Sequence, residues 1–118
     1  MKIGTDITVV SRIERSLNKF GTRFLDKLLT PQEQKTLSTK TESIAGYWAA
    51  KEAIAKALGC GIGKELGFHD ILLYKDIKNA PHFRLSETAQ KHHQIKNASL
   101  SIAHDGGFAI AVVVVSVE

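Results

Sequence analysis

Ile3, Thr5, Ile7 and Val9 alternate with other residues, the period-two pattern of a short strand running into a helix. From there Val9, Ile13, Leu17, Phe20, Phe24 and Leu28 recur at spacings of four, four, three, four and four, the apolar stripe of an amphipathic helix. Gly21-Thr22 interrupts the stripe, and Thr22 is the expected cap of a second segment. Thr30-Pro31-Gln32-Glu33 reads as a capping box with proline at the first helical position, so another short helix begins there. Thr41 is the expected cap of the longest helix, which runs to about Leu58 and stops at Gly59.

The second half changes period. Phe68–Ile77 reads as a strand and His82–Leu85 as a shorter one, and Ser86 caps a helix through about His93. Ser99–His104 and Phe108–Val117 are strands joined by Asp105-Gly106-Gly107, a hairpin signal because glycine tolerates the positive φ of tight turns. Helices packed on a small, mostly antiparallel sheet make an α+β fold.

The chain has 118 residues, which suits a single domain spanning 1–118. With 43% hydrophobic residues it can build its own core, and disorder is excluded. No apolar stretch approaches the roughly 18 residues of a membrane span; the longest, Phe108–Val115, suits a buried strand. The opening Met1-Lys2-Ile3-Gly4-Thr5-Asp6 places charge where a signal peptide needs its apolar core. Cys60 is the sole cysteine, so no internal disulfide is possible. A cytoplasmic location is expected.

Charge adds a direction. The net charge is +4, and residues 1–40 hold eight Lys or Arg against four Asp or Glu, so the whole excess lies in the first third. Arg12, Arg15, Lys19, Arg23 and Lys27 form a basic stripe beside the apolar one. An isolated stripe of this kind is ordinarily a solvated face, but this imbalance favours an acidic partner. One such partner is nucleic acid, which would make the chain a small basic binding module without catalysis. The scarcity of aromatics along the stripe weighs against that alternative.

Several residues carry possible chemistry. On the helix Thr41–Leu58, Ala45, Ala49, Glu52 and Lys56 share a face, with the two alanines leaving open space beside the charges. Spacing alone makes Glu52–Lys56 an ordinary surface pair, stabilising the helix by about 0.3–0.5 kcal/mol. Lys51 instead projects into the apolar stripe, where it must snorkel out or meet an anion. Gly59-Cys60-Gly61-Ile62-Gly63 closes a helix rather than opening one, which rejects a dinucleotide-binding reading; it is either a cap and turn or a loop open to a phosphate. Asp6, in a strand with apolar neighbours, needs a partner, a hydrogen bond or a metal. His104-Asp105 reads as a phosphate donor or as turn chemistry. His69, His82, His92 and His93 lack metal-ligand spacing, and Cys60 has no partner cysteine, so no zinc site is expected.

Three segments in register carry a resemblance. Ile3-Gly4-Thr5-Asp6-Ile7 followed by Arg12-Ile13, the run Trp48-Ala49-Ala50-Lys51-Glu52-Ala53-Ile54-Ala55-Lys56, and Leu100–Asp105 with Phe108–Ala111 together resemble the bacterial holo-[acyl-carrier-protein] synthases. These are the small type of 4′-phosphopantetheinyl transferase, and the resemblance covers essentially the whole chain. Tyr47, Cys60, Asn79-Ala80-Pro81 and Ala103 depart from common family residues, in regions expected to touch the coenzyme.

The resemblance implies transfer of the 4′-phosphopantetheine arm of coenzyme A to a serine of apo acyl carrier protein, with Mg²⁺ as cofactor. It implies a homotrimer with active sites at subunit interfaces, a role in fatty acid biosynthesis, and no nucleic acid or membrane partner. By the same resemblance Asp6 and Glu52 are the expected metal ligands and, with Lys56, the catalytic set. Lys51, Lys56, Gly61, Gly63 and His104 are expected to bind coenzyme A. Arg12, Arg15, Arg23, Phe24 and Lys27 are expected to dock the acidic carrier protein.

Overall fold

The computed structural model describes residues 1–118. Strand β1 (Lys2–Val9) turns Gly4, Asp6 and Thr8 toward the interior and Ile3, Thr5, Ile7 and Val9 outward. Helices α1 (Val10–Phe20) and α2 (Thr22–Leu28) follow, parted by Gly21, then α3 (Pro31–Thr36) and the central α4 (Thr41–Ala57). A 3-10 turn at Phe68–Asp70 leads into the hairpin β2 (Ile71–Lys75) and β3 (Pro81–Leu85). Helix α5 (Glu87–His93) precedes the long hairpin β4 (Ile95–Asp105) and β5 (Phe108–Val117). Strands β1, β5 and β4 form an antiparallel sheet in that order, and β2–β3 a separate two-stranded one. The fold is α+β, with two small antiparallel sheets.

Helix α4 lies across the three-stranded sheet and is buried on nearly every side. Ala45, Ala49, Ala50, Ala53 and Ala57 are buried, so small side chains let the helix sit close to the strands. Ala45 and Ala49 therefore leave no open space beside Glu52. Contact is tightest at Gly4, where any Cβ would overlap the Ala53 carbonyl oxygen and crowd the Ala57 amide. Both obstacles are backbone, so neither can rotate away. Gly4→Ala is expected to cost at least the ~1–3 kcal/mol of an overpacked core, read as a lower denaturation midpoint with unchanged m-value. An alanine variant as stable as the wild type would show that α4 can slide.

Local chemistry accounts for the ends of these elements. Thr30 and Glu33 form the expected capping box, with the Glu33 amide donating to Thr30 Oγ1 at 3.1 Å and the Thr30 amide to Glu33 Oε1 at 2.8 Å. Ser86 caps α5 by accepting from the Ala89 amide. The expected caps Thr22 and Thr41 lie one residue inside their helices, and neither α2 nor α4 has a side-chain cap. The strand expected at Phe68–Ile77 is shorter at both ends. Asp70 accepts from the Gly67 amide and from Ser86 Oγ, winding residues 68–70 into a turn. Asp76 accepts from the amides of Lys78 and Ala80 and bends the chain after Lys75. Asp105 pairs with Phe108 across Gly106 and Gly107, whose φ values of 56° and 85° suit a two-residue hairpin loop.

The outer face of the three-stranded sheet has no covering layer. Ile3 faces Val114, Ile7 faces Ile110 and Val9 faces Phe108 across the β1–β5 ladder, and Ile3 and Ile7 are 70% and 62% exposed. No helix is long and apolar enough to cross a membrane.

Candidate active site

Asp6 lies on the interior face of β1, two residues after the glycine that lets β1 meet α4. That placement aims its carboxylate at the last turns of the helix. Lys56 Nζ donates to Asp6 Oδ1 at 2.9 Å and to the Thr5 carbonyl at 3.2 Å, while Thr8 Oγ1 donates to Asp6 Oδ2 at 2.7 Å. Lys56 thus pairs with Asp6 rather than closing the surface pair with Glu52 that helical spacing suggested. Thr8, two residues on from Asp6, has the same strand face and is the one polar partner missed; period-two alternation was the signal for it.

Glu52 sits one helical turn before Lys56, half-buried in a cleft of about 340 Å³. Asp6, Thr8, Arg12, Ser16, Phe24 and Trp48 share that cleft. Burial, and after it the Asp6 carboxylate, push the Glu52 carboxyl up, and Lys56 offsets this in part. The Asp6 carboxylate, from a different element, thus disfavours charge on Glu52 across a polar cleft. Such a pair of hard oxygen donors gains most from a bound cation, which is what a Mg²⁺ site requires.

The basic stripe borders the same place. A second cleft lined by Phe20, Arg23, Phe24, Lys27 and Trp48 adjoins the first, sharing Ser16, Phe24 and Trp48 with it. Arg12 and Phe24 therefore line the carboxylate cleft and Arg23 and Lys27 the one beside it, whereas Arg15 is exposed and borders neither. Phe24 is half-buried, stacked at 5.8 Å on Trp48, which packs in turn on Phe68.

Lys51 differs from expectation. Its side chain is fully buried, and Nζ donates to Glu33 Oε1, to the Leu28 carbonyl and to the Phe68 carbonyl at 2.8, 2.8 and 2.9 Å. All three ammonium hydrogens are engaged, so none is available to a coenzyme phosphate. Burial pulls the Lys51 ammonium down, and the hydrogen bond and charge of Glu33 hold it up in part. Lys51 belongs to the scaffold, where the anion it meets is the capping glutamate of α3.

The glycine loop and His104 lie apart from the cleft. The amide of Gly61 donates to the Ala55 carbonyl and that of Gly63 to the Leu66 carbonyl, so neither presents a free N–H to a phosphate. No atom lies within 4 Å of where their Cβ atoms would be, which leaves open approach as their contribution. His104 lines a different cavity beside the first turns of α4, with Glu42, Ser43 and the departing residue Tyr47. Within one chain, then, Asp6, Glu52 and Lys56 meet, and His104 does not join them.

The family model described as the 4′-phosphopantetheinyl transferase superfamily matches residues 2–113. A holo-[acyl-carrier-protein] synthase of Sulfurovum sp. is 52% identical over 118 residues, covering 100% of this chain and 98% of that protein. One from Campylobacter lari is 56% identical over 113 residues, covering 96% and 97%. A solved structure of Helicobacter pylori holo-[acyl-carrier-protein] synthase in complex with coenzyme A superposes with a TM-score of 0.93 at 50% identity, over 97% of this chain and 99% of that one.

Proposed function

The chain belongs to the 4′-phosphopantetheinyl transferase superfamily, and from that premise we infer that it transfers the 4′-phosphopantetheine arm of coenzyme A to a serine of apo acyl carrier protein. The observation that carries this reading is the cleft lined by Asp6 and Glu52, with Lys56 paired to Asp6 at 2.9 Å and basic residues beside it. The serine hydroxyl oxygen bonds to the pantetheine-side phosphorus and loses its proton. The bond to the bridging oxygen breaks, and adenosine 3′,5′-bisphosphate leaves with that oxygen. Negative charge grows on the bridging and non-bridging oxygens, so positive charge fixed beside them lowers the barrier. Lys56, held by Asp6 and the Thr5 carbonyl, is positioned to supply it. Asp6 and Glu52 are the residues that would hold Mg²⁺, whose charge polarises the pyrophosphate. The route is tested by following labelled phosphopantetheine onto an apo acyl carrier protein. A cytoplasmic setting fits a role in fatty acid synthesis.

A homotrimer with shared active sites fits two features of the chain. The uncovered apolar face of β1 and β5 needs a partner, since patches of that kind mark interfaces. His104, separated from the carboxylates within one chain, can complete a site across an interface. The mass in solution should be that of three chains, and Ile110→Asp should dissociate them; a monomeric wild type would contradict this.

The basic rim serves the acidic carrier. Arg12 and Arg23 border the carboxylate cleft and its neighbour, and both are exposed. The double reversal Arg12→Glu, Arg23→Glu should raise the carrier KM by on the order of tenfold at low salt while hardly moving the KM for coenzyme A. The effect should shrink as ionic strength passes about 0.1 M. Unchanged carrier KM and salt dependence would make the stripe a solvated face.

A further inference from the structure

Beyond the carboxylate cleft, the fold gathers three ligand types that linear spacing conceals. Cys60 follows α4, Glu65 lies in the next loop and His93 is the last residue of α5; their Sγ, carboxylate oxygen and ring nitrogen all lie within 4.8 Å of one another. Independently, the His93 side chain is only 7% exposed, and its Nε2 is buried with no hydrogen-bond partner. A buried ring nitrogen without a partner is costly and calls for an explanation. That atom lies 3.4 Å from Glu65 Oε2, so it faces into the cluster. His92, on the rim, places its own Nε2 at 3.6 Å from the same oxygen.

We propose that Cys60, Glu65 and His93 form a transition-metal site of the zinc type, separate from the carboxylate pair Asp6 and Glu52. Thiolate, imidazole and carboxylate in one set suit zinc or cobalt and not magnesium or calcium, which take oxygen alone. Tetrahedral zinc, with bonds of about 2.0–2.3 Å, holds its ligands roughly 3.3–3.8 Å apart, so side-chain adjustment within the present cluster suffices. On binding, the metal replaces the thiol proton of Cys60, which passes to solvent, and the thiol contact with the Ala55 carbonyl is given up. His92 or water fills the fourth position. An ion there ties the loop that holds Gly61 and Gly63 to the end of α5, beside the region expected to meet coenzyme A.

The test uses the full chain with zinc or cobalt salts alone, so that it stands apart from transferase activity. Zinc competition against a chromogenic chelator should show one tight site per chain, and cobalt should give a thiolate charge-transfer band. Cys60→Ser should abolish that band. Cys60→Ser and His93→Gln should each weaken zinc binding by about tenfold or more, since even outer partners of metal ligands contribute ~10–100-fold. Asp6→Ala should leave it unchanged. Absence of binding by the wild type, or tight binding that survives either substitution, overturns the proposal. If His93→Gln does not fold, the wild-type cobalt spectrum decides, and a spectrum without the thiolate band counts against the site.

Discussion

Lys51→Met is expected to destabilise the protein by about 3–5 kcal/mol, the loss typical when one partner of a buried ion pair is removed. Against a total of about 5–15 kcal/mol for a domain, that is a large share. The reason lies in what Lys51 leaves behind. Glu33 would be left fully buried without its cation, and the carbonyls of Leu28 and Phe68 would lose their donor. Glu33 itself is committed elsewhere, accepting from the Thr30 amide through Oε1 and from the Leu73 amide through Oε2. One pair thus knots the end of α2, the start of α3, α4 and β2 together. Removing both partners should not restore stability, because those amides and carbonyls would still lack partners. Urea unfolding of the two single variants and the double variant gives the coupling directly. A loss under about 1 kcal/mol for Lys51→Met would show that water replaces the ammonium. Since Leu28 ends α2, the variant should also raise the carrier KM by loosening Arg23 and Lys27.

What could be read from the chain beforehand was largely local. The capping box at Thr30–Glu33, the glycine hairpin and the stripe from Val9 to Leu28 were legible because each depends on neighbours within a few residues. Lys51 stood out as a charge in an apolar stripe, but its anion lay 18 residues away in a motif already explained as a helix cap. Helical spacing pairs Lys56 with Glu52, and only the close approach at Gly4 reveals Asp6 as its partner. The apolar run predicts a strand over Phe68–Ile77 that is too long, because it hides two aspartates that bind backbone amides and bend the chain. The cluster of Cys60, Glu65 and His93 has no periodic signal, since three segments meet there only in the fold.

The second large effect concerns the carboxylates. Asp6→Ala and Glu52→Gln should each lower turnover by ~10²–10³-fold or more, the range seen when one preorganised charge-stabilising group is removed. Their stabilities should diverge. The Glu52 carboxyl is pushed up in the folded protein, so ionising it weakens the fold as pH rises through that raised value. Glu52→Gln removes that penalty and should melt higher than the wild type at neutral pH, while Asp6→Ala leaves Lys56 without its partner and should not. A site built for function at the expense of stability behaves in this way. In the wild type, the Mg²⁺ concentration needed for half-maximal kcat/KM should rise on the acid side above the ordinary glutamate range, because the charged form of Glu52 is the one that binds the ion. Asp6→Asn should bring the Glu52 titration down, though burial keeps it above that range. A Glu52→Gln variant that is both active and less stable would refute the assignment.

The most direct measurement is phosphopantetheine transfer from coenzyme A to apo acyl carrier protein by the wild type, Asp6→Ala and Glu52→Gln, each verified as folded, in the presence of Mg²⁺. The account predicts a mass increase of one phosphopantetheine on the carrier serine, with release of adenosine 3′,5′-bisphosphate, for the wild type, and the same transfer slowed by ~10²-fold or more in both variants. Transfer by all three proteins at similar rates, or by none, would contradict it.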